Sequence, residues 1–525
     1  MKSPLLCLVL VLSSASGWAA GEIKTNTGSI VSYKCPGDPA SNLYHVHING
    51  TEVFISRFFS LHYAHMACSG TVNVVVQASG PIQQFSISPK RCGIKGKTDG
   101  GDLLFSVKCD RPRYLVISIG DEQKVLLFLD PPVRDALQLG GANVVDASAW
   151  LKDSTGKEDQ AGAFQSAIAA VNNTGKTLYV PPGIYLCKTL AIAGCRNFKL
   201  YLAPGCLIRT SYEDKNAVLL DIVDSQRISV FGRGVLDNQS VESRAYHQSP
   251  AGAPYGSGNT VRILNSSDVL IDGLVARNSR NWSFCCRDCD RLTIRDCKVL
   301  APVECNPMWT DGYNITGGDT VLVENCFVWS TDDSFASGDY HGTRESTHFT
   351  IRGLVGYSII ANGIRLGFDS TPSLSDFHFE DCDFLHVKLY GITINAHEPA
   401  NPALGKSPLP RMGRILVEHC GFELDPPCLG FLAVGVVREY DHPQRWNGVH
   451  VDDLELNDIS LEDLSPDQLS RIQGIPADPI GKVVLKDLRV GNQPVRRPGD
   501  IHLQVENVTK CTLDDTSAAT RERLP

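Results

Sequence analysis

Leu292-Thr-Ile-Arg-Asp-Cys297 and Val321-Leu-Val-Glu-Asn-Cys326 carry one pattern: an apolar–polar–apolar alternation, two polar residues, then a small or apolar one. It recurs as Val269-Leu-Ile-Asp-Gly273, Phe349-Thr-Ile-Arg-Gly353, Phe377-His-Phe-Glu-Asp-Cys382, Ile415-Leu-Val-Glu-His-Cys420, Val449-His-Val-Asp-Asp-Leu454 and Val483-Val-Leu-Lys-Asp-Leu488. The central residues Ile271, Ile294, Val323, Ile351, Phe379, Val417, Val451 and Leu485 are 23 to 38 residues apart. The shorter spacings suit one coil of a parallel β-helix, and the longer ones suit coils with inserted loops. Each coil buries its inward residues on the next, so neighbouring coils need like residues at like positions. Cys297, Cys326, Cys382 and Cys420 therefore read as a buried stack, because free cysteine behaves as a small hydrophobe. Cys285, Cys286 and Cys289 take the same reading, with a Cys-x-x-x-Cys metal pair as the alternative.

Ahead of the repeats, residues 21–135 hold short β-prone runs, among them Leu43–Ile48, Glu52–Phe58, Thr71–Gln77, Leu103–Val107, Tyr114–Ile119 and Lys124–Leu129. Turn residues separate them, so a small antiparallel β-sandwich is expected, closed by Asp130-Pro131-Pro132. A helix follows, with Asp159 as N-cap and Ala161, Phe164, Ile168 and Val171 on one face; it would cap the open end of a β-helix spanning 140–510. Residues 511–525 form a polar tail. The fold class is all-β: a parallel β-helix preceded by a sandwich.

The first twenty residues read as an export signal: Lys2, an apolar Leu5–Leu12 core and a small-residue exit at Gly17-Trp-Ala-Ala20. The expected location is outside the cell, or the periplasm of a Gram-negative bacterium. No later stretch approaches the ~20 apolar residues of a membrane span. The formal charge of −9 gives no overall basic field for nucleic acid. Of 18 cysteines, Cys7 would leave with the signal; Cys35, Cys68, Cys92 and Cys109 fall in one early segment and would allow two disulfides. Seven Asn-x-Ser/Thr sequons are present, one at Asn314. His45-Val-His47 has no partner ligands nearby in sequence. No metal, no cofactor and a monomer are expected.

Chemistry concentrates where one coil reads Trp309-Thr-Asp311-Gly-Tyr313 and the next reads Ser330-Thr-Asp332-Asp333-Ser-Phe335. Stacked strands lie ~4.8 Å apart, so Asp311, Asp332 and Asp333 should cluster. Neighbouring carboxylates repel, which raises one pKa while others stay ionised, and so divides acid from base. Glycoside hydrolysis uses that division: one carboxyl protonates the leaving oxygen and another activates water or attacks carbon. A single Asp at a coil corner more often binds backbone N–H groups; three placed one coil apart favour catalysis. Adjacent strand residues face opposite sides, so Asp332 and Asp333 can both serve only if the chain bends there.

Thr310-Asp311-Gly312 followed by Asp332-Asp333 resembles the signatures of the polygalacturonase family and of the related dextranase–isopullulanase family, both inverting hydrolases on right-handed β-helices. Val180-Pro-Pro-Gly-Ile-Tyr185, Leu202-Ala-Pro-Gly205 and Gly232-Arg-Gly-Val-Leu-Asp237 resemble their first coils. The resemblance covers about residues 140 to 460. It implies Asp332 as the acid, with Asp311 and Asp333 holding and deprotonating the attacking water. The chain departs from polygalacturonases where they carry Gly-His-Gly, here Ala361-Asn362-Gly-Ile-Arg365-Leu-Gly367, and where they carry Arg-Ile-Lys, here Thr393-Ile-Asn395. Neutral Thr393 and Asn395 offer no cation to a uronate carboxylate. Asn362 to Phe368 is closer to the dextranase pattern, whereas Arg365 or Lys388 would keep an acidic substrate open.

Substrate contacts are therefore expected from Asn362, Arg365, Thr393 and Asn395, and from the aromatic residues Trp309, Tyr313, Tyr340 and Phe368, which would stack on pyranose faces. Trp329 reads as core. The expected partner is a polysaccharide, foremost a neutral α-glucan such as dextran. A pectin-directed hydrolase, a polysaccharide lyase and a non-catalytic glycan-binding solenoid are the alternatives.

Overall fold

The computed structural model describes residues 21–25, 28–120, 123–132, 137, 139–248, 256–305, 309–338, 342–367, 373–395, 411–424, 426, 428–436 and 449–514. The export signal, Tyr340, His341, Phe368 and most of the C-terminal tail lie outside the described residues.

The chain is a right-handed parallel β-helix with three walls. Among the described residues, wall 1 has 13 strands from Val144–Asp146 to Val508–Asp514, wall 2 has 13 from Thr155–Asp159 to Gln493–Pro494, the last paired antiparallel, and wall 3 has 11 from Leu190–Ala193 to Leu503–Glu506. The repeat is wall 1 with its following corner. Ile271, Ile294, Val323, Ile351, Phe379 and Val417 stand in one register row. The row then passes to Leu456, not Val451, which pairs with Met412 instead. The expected window Val449–Leu454 begins one residue before the strand His450–Asn457 and ends within it; the corner residues Asp458 and Ile459 mark the repeat as Leu454–Ile459.

Those corners explain the paired polar residues of the motif. Asp296, Asn325, Asp381, His419, Asp458 and Asp487 all hold positive φ between 50° and 54°, a conformation that short polar side chains tolerate better than bulky ones. The next residue turns inward. Cys297, Cys326, Cys382 and Cys420 are fully buried there, each thiol donating to the carbonyl two residues back, at 3.1 to 3.3 Å. Cys285, Cys286 and Cys289 do not converge. Cys285 and Cys286 point to opposite faces of wall 3, and the Cys289 thiol donates to the carbonyls of Arg287 and Ile263.

The helix Ala161–Val171 covers the N-terminal end of the solenoid with Phe164, Ala167, Ile168 and Val171. Asp159 lies one position before the cap residue and accepts from the N–H groups of Ala161 and Lys188.

The N-terminal unit is a two-sheet sandwich. Its pairs are antiparallel except Leu61–Cys68 with Gln123–Asp130, which run parallel, a departure from the purely antiparallel expectation. Leu61–Cys68 was not expected as a strand because all eight residues are buried and the run lacks a polar alternation.

One sandwich face packs on the outside of wall 2. Phe58, Tyr63, Tyr114 and Phe128 meet Leu207, Val235, Val275, Leu300, Phe327, Trp329 and Tyr357. Trp329 is buried, as expected of a core residue, but in this seam and stacked 3.9 Å from Tyr357, outside the solenoid interior. A buried ion pair locks the seam: Lys298 Nζ lies 2.5 Å from Asp130 Oδ2, which also meets His65 Nε2 at 2.7 Å, and Tyr114 donates to Asp130 Oδ1 at 3.0 Å. At the far end Arg91 reaches Asp381 and Asp383. The sandwich thus stands beside the turns from wall 2 to wall 3.

Candidate active site

Those turns carry the acids. Asp311 sits in the connection 301–312 that leads into Tyr313–Thr316, and Asp332 and Asp333 occupy the short turn between Phe327–Ser330 and Phe335–Ser337. Because this segment is a turn and not a strand, the alternation rule does not separate Asp332 from Asp333. One carboxylate oxygen from each of Asp311, Asp332 and Asp333 lies within 4.8 Å of the other two.

Gly312 is required by close approach. A Cβ there would stand 2.5 Å from Ser334 O and from a Val328 methyl, so any side chain would push the two acid-bearing coils apart. Its N–H donates to Asp333 O at 2.8 Å, tying coil to coil. Ser330 and Ser358 hydroxyls both donate to Asp332 O at 2.7 Å, and Thr310 and Thr331 hydroxyls meet beneath.

The three carboxyls have different surroundings. Asp311 is 4% exposed and accepts from Asn314 Nδ2 at 2.8 Å. Burial first, then the charges of Asp332 and Asp333, hold its carboxyl well above the ordinary carboxylate range; the Asn314 bond and Arg365 pull the other way. Asp333 is 5% exposed, and its Oδ1 accepts from both the backbone and side-chain N–H groups of Asn362 at 2.9 Å. Asp332 is half-buried; Trp309 N–H donates to its Oδ2 at 2.9 Å and Asp333 N–H to its Oδ1 at 3.0 Å. It is the acid with most access to the open side.

The expected contact residues divide. Trp309 is 45% exposed beside Asp332, with φ +92°. Tyr313 is fully buried, in the inward row of wall 3 between Phe284 and Phe335. It packs the core and cannot stack on a sugar, which corrects the expectation; its two-residue spacing from inward Ile315 carried that signal. Asn362, Thr393 and Asn395 are also fully buried. The Thr393 hydroxyl donates to Asn362 Oδ1 at 2.9 Å, so Thr393 orients the amide that holds Asp333. Arg365 Nε lies 4.0 Å from Asp333 Oδ2, and its guanidinium donates to Asn395 at 3.4 Å. These residues support the acids from beneath. Asn314, noted in the sequence only as a sequon, belongs with them: it stands in the outward row of wall 3 with Cys285, Ala336, Arg365 and Thr393. Its amide is 7% exposed and engaged by Asp311, a poor position for a glycan.

Residues 172–384 match the family model described as Glycosyl hydrolases family 28. No curated protein sequence matches the chain. Among solved structures, Dex49A from Penicillium minioluteum aligns with a TM-score of 0.62 at 13% identity, over 93% of this chain and 100% of its own. The endo-xylogalacturonan hydrolase from Aspergillus tubingensis aligns at 0.53 and 14% identity, over 70% of this chain and 99% of its own. The exopolygalacturonase from Thermotoga maritima aligns at 0.50 and 14% identity, over 70% and 92%. At such identities these likenesses speak for the fold, and the family match covers the coils that bear the acids. The chain is a glycoside hydrolase of the parallel β-helix type, with the family 28 signature in residues 172–384.

Proposed function

We propose that the protein is an exported, inverting hydrolase of a neutral polysaccharide, an α-glucan such as dextran, with Asp332 as proton donor and Asp311 and Asp333 as the pair that holds and deprotonates water. The observation that carries this reading is the difference in access among three carboxylates within 4.8 Å. The donor must touch the glycosidic oxygen, and Asp332 is the acid nearest the open side. A nucleophilic carboxylate would have to reach the anomeric carbon itself. Asp311 and Asp333 are instead 4% and 5% exposed and tied to Asn314 and Asn362, which suits holding a water better than attacking carbon.

The spacing pulls the other way: the 4.8 Å limit is nearer the ~5–5.5 Å of retaining pairs than the ~6.5–9.5 Å of inverting ones. Two buried acids able to share one water support the inverting reading against that spacing. The high proton affinity of Asp311 favours a second assignment in which Asp311 is the donor. With three coupled carboxyls the resting proton belongs to the cluster, and Asp332 is the member able to pass it to substrate.

A neutral substrate is favoured by where the polar groups are spent. Thr393 and Asn395 are buried in hydrogen bonds to the acid-positioning residues, and the Arg365 guanidinium is engaged beside Asp333. Export rests on the leader-like residues 1–20.

The test is a reducing-sugar assay on dextran, pullulan, polygalacturonate and rhamnogalacturonan, for wild type and Asp332→Asn. Release from dextran, lost in the variant, is expected. Release from polygalacturonate alone would overturn the neutral-substrate reading, and products with unsaturated-uronate absorbance would overturn hydrolysis.

A further inference from the structure

One to four coils before Asp311, the seam between sandwich and solenoid opens into a cavity of about 480 Å³, within the ~300–1,000 Å³ range of small-ligand sites. The sandwich supplies Phe58 and Phe59, the solenoid supplies Arg209, and Arg57 stands at the rim. On its floor Arg277 is saturated: it grips Asp38 through both terminal nitrogens, donates to Asp237, and lies 4.0 Å from the Phe58 ring centre. Arg209 is different. Its terminal nitrogen donates to Gly156 O, while its Nε is buried with no hydrogen-bond partner among the described residues. A buried donor left unmade is costly, so a shift of the Arg209 guanidinium toward an acceptor in the cavity is rewarded.

Phe59 gives an independent indication. Phe58 pairs with Leu61, so Phe59-Ser60 is a two-residue hairpin, and Phe59 holds φ +50°. Glycine is the low-strain residue at such a position, yet the chain places there an aromatic ring that is 37% exposed and lines the cavity. The Phe59 ring meets the Phe58 ring edge-on, with centres 4.9 Å apart, and more than a third of the residue still stays exposed at the cavity, which points to use of the side chain beyond packing. The same hairpin touches the catalytic loop, because the Ser60 hydroxyl donates to Glu304, within the connection that leads to Trp309 and Asp311.

We propose that this seam cavity is a second glycan site: it takes a pyranose unit with its apolar face on Phe59 and its oxygens accepting from Arg209 and Arg57. A ring face on an aromatic plane with planar guanidinium donors at its edge matches the amphipathic character of a sugar. The site deepens the hydrolase reading but does not require it, since it uses none of the three acids.

The experiment is hydrogen-exchange mass spectrometry on the Asp332→Asn protein with isomalto-oligosaccharides and with oligogalacturonides, compared with the same protein carrying Phe59→Gly or Arg57→Ala. One of the two glycans is expected to protect residues 36–39 and 57–61. Phe59→Gly should weaken that protection at least fivefold in apparent affinity while leaving the melting temperature unchanged or higher, the reverse of what loss of a structural aromatic gives. Protection by the neutral glycan marks a neutral sugar site, and protection by the acidic one marks a uronate site. Failure of both glycans to protect the hairpin, or full protection in both variants, overturns the proposal. Turnover on polysaccharide with protection confined to residues 309–333 would overturn the seam site and leave the hydrolase reading standing. Seam protection without wild-type turnover would do the opposite.

Discussion

The Asn314 amide donates to Asp311 Oδ2 across 2.8 Å, three residues along the chain and at the first outward position of the strand that Asp311 leads into. The bond favours the ionised carboxylate and so opposes burial and the charges of Asp332 and Asp333, which push the proton affinity of Asp311 up. Asn314→Ala removes the opposing influence, and the Asp311 carboxyl should rise further. If Asp311 must be ionised to hold the attacking water, the acid limb of the kcat/KM profile moves to higher pH. A hydrogen bond to a charged group contributes about 1.5–3 kcal/mol, so the expected move is about one pH unit or more. An acid limb that stays in place would show that Asp311 is not the ionised partner.

If Asp332 donates the proton, the leaving group separates that step from the rest of catalysis. Asp332→Asn should lower polysaccharide turnover by about 10²–10⁴-fold, the range for general acid–base catalysis. On an aryl glycoside with a dinitrophenol leaving group, which departs without protonation, the same variant should keep most of its rate. Asp311→Asn and Asp333→Asn should lose both activities, because water activation is needed for either substrate. Were Asp311→Asn the variant rescued by the aryl glycoside, the donor would be Asp311.

Stereochemistry tests the water-holding pair directly. Proton NMR taken in the first minutes of hydrolysis should show the anomer opposite to that of the bond cut. The same anomer would mean that one of the buried carboxylates reaches carbon, as the short spacing among the three acids would allow.

Much of this site is legible in the sequence, and the part that is not has a physical cause. The acids are found because a solenoid converts a one-coil spacing in sequence into a contact in space. Asn362 and Thr393 are also found, as residues near the acids, but a position in sequence does not say whether a side chain faces sugar or a neighbouring coil. Both are buried and face the neighbouring coils. Tyr313 could have been placed inward from its register with Ile315, had strand alternation been weighed above aromatic character. The docking of the sandwich was readable in part: Phe327-Val-Trp329 is apolar on both faces, which a wall covered on one side only would not be. The ion pairs across that seam were not readable, because Asp130 and Lys298 are 168 residues apart and belong to different units.

That seam makes the last prediction. His65 is 3% exposed, and burial first, then the Lys298 charge, lower its pKa to about 4 despite the Asp130 bond. In the unfolded chain a histidine titrates near 6.5. Between these values the unfolded state binds the extra proton, so stability from this group is complete above about pH 6.5 and is lost as pH falls toward 4. Glu423, also buried, is pushed up to about 7 and acts in the opposite sense, its contribution falling as pH rises from about 4.5. That effect is common to wild type and to a His65→Gln variant, so it cancels between them. The variant should have a lower melting temperature at pH 7, where the Asp130 contact is lost, and a smaller further decrease between pH 6.5 and 4.5 than wild type shows. The difference in slope corresponds to about 3 kcal/mol if His65 alone accounts for it. Parallel melting curves across that range would mean that His65 charges freely in the folded protein, and that the Lys298–Asp130 pair does not hold the seam dry.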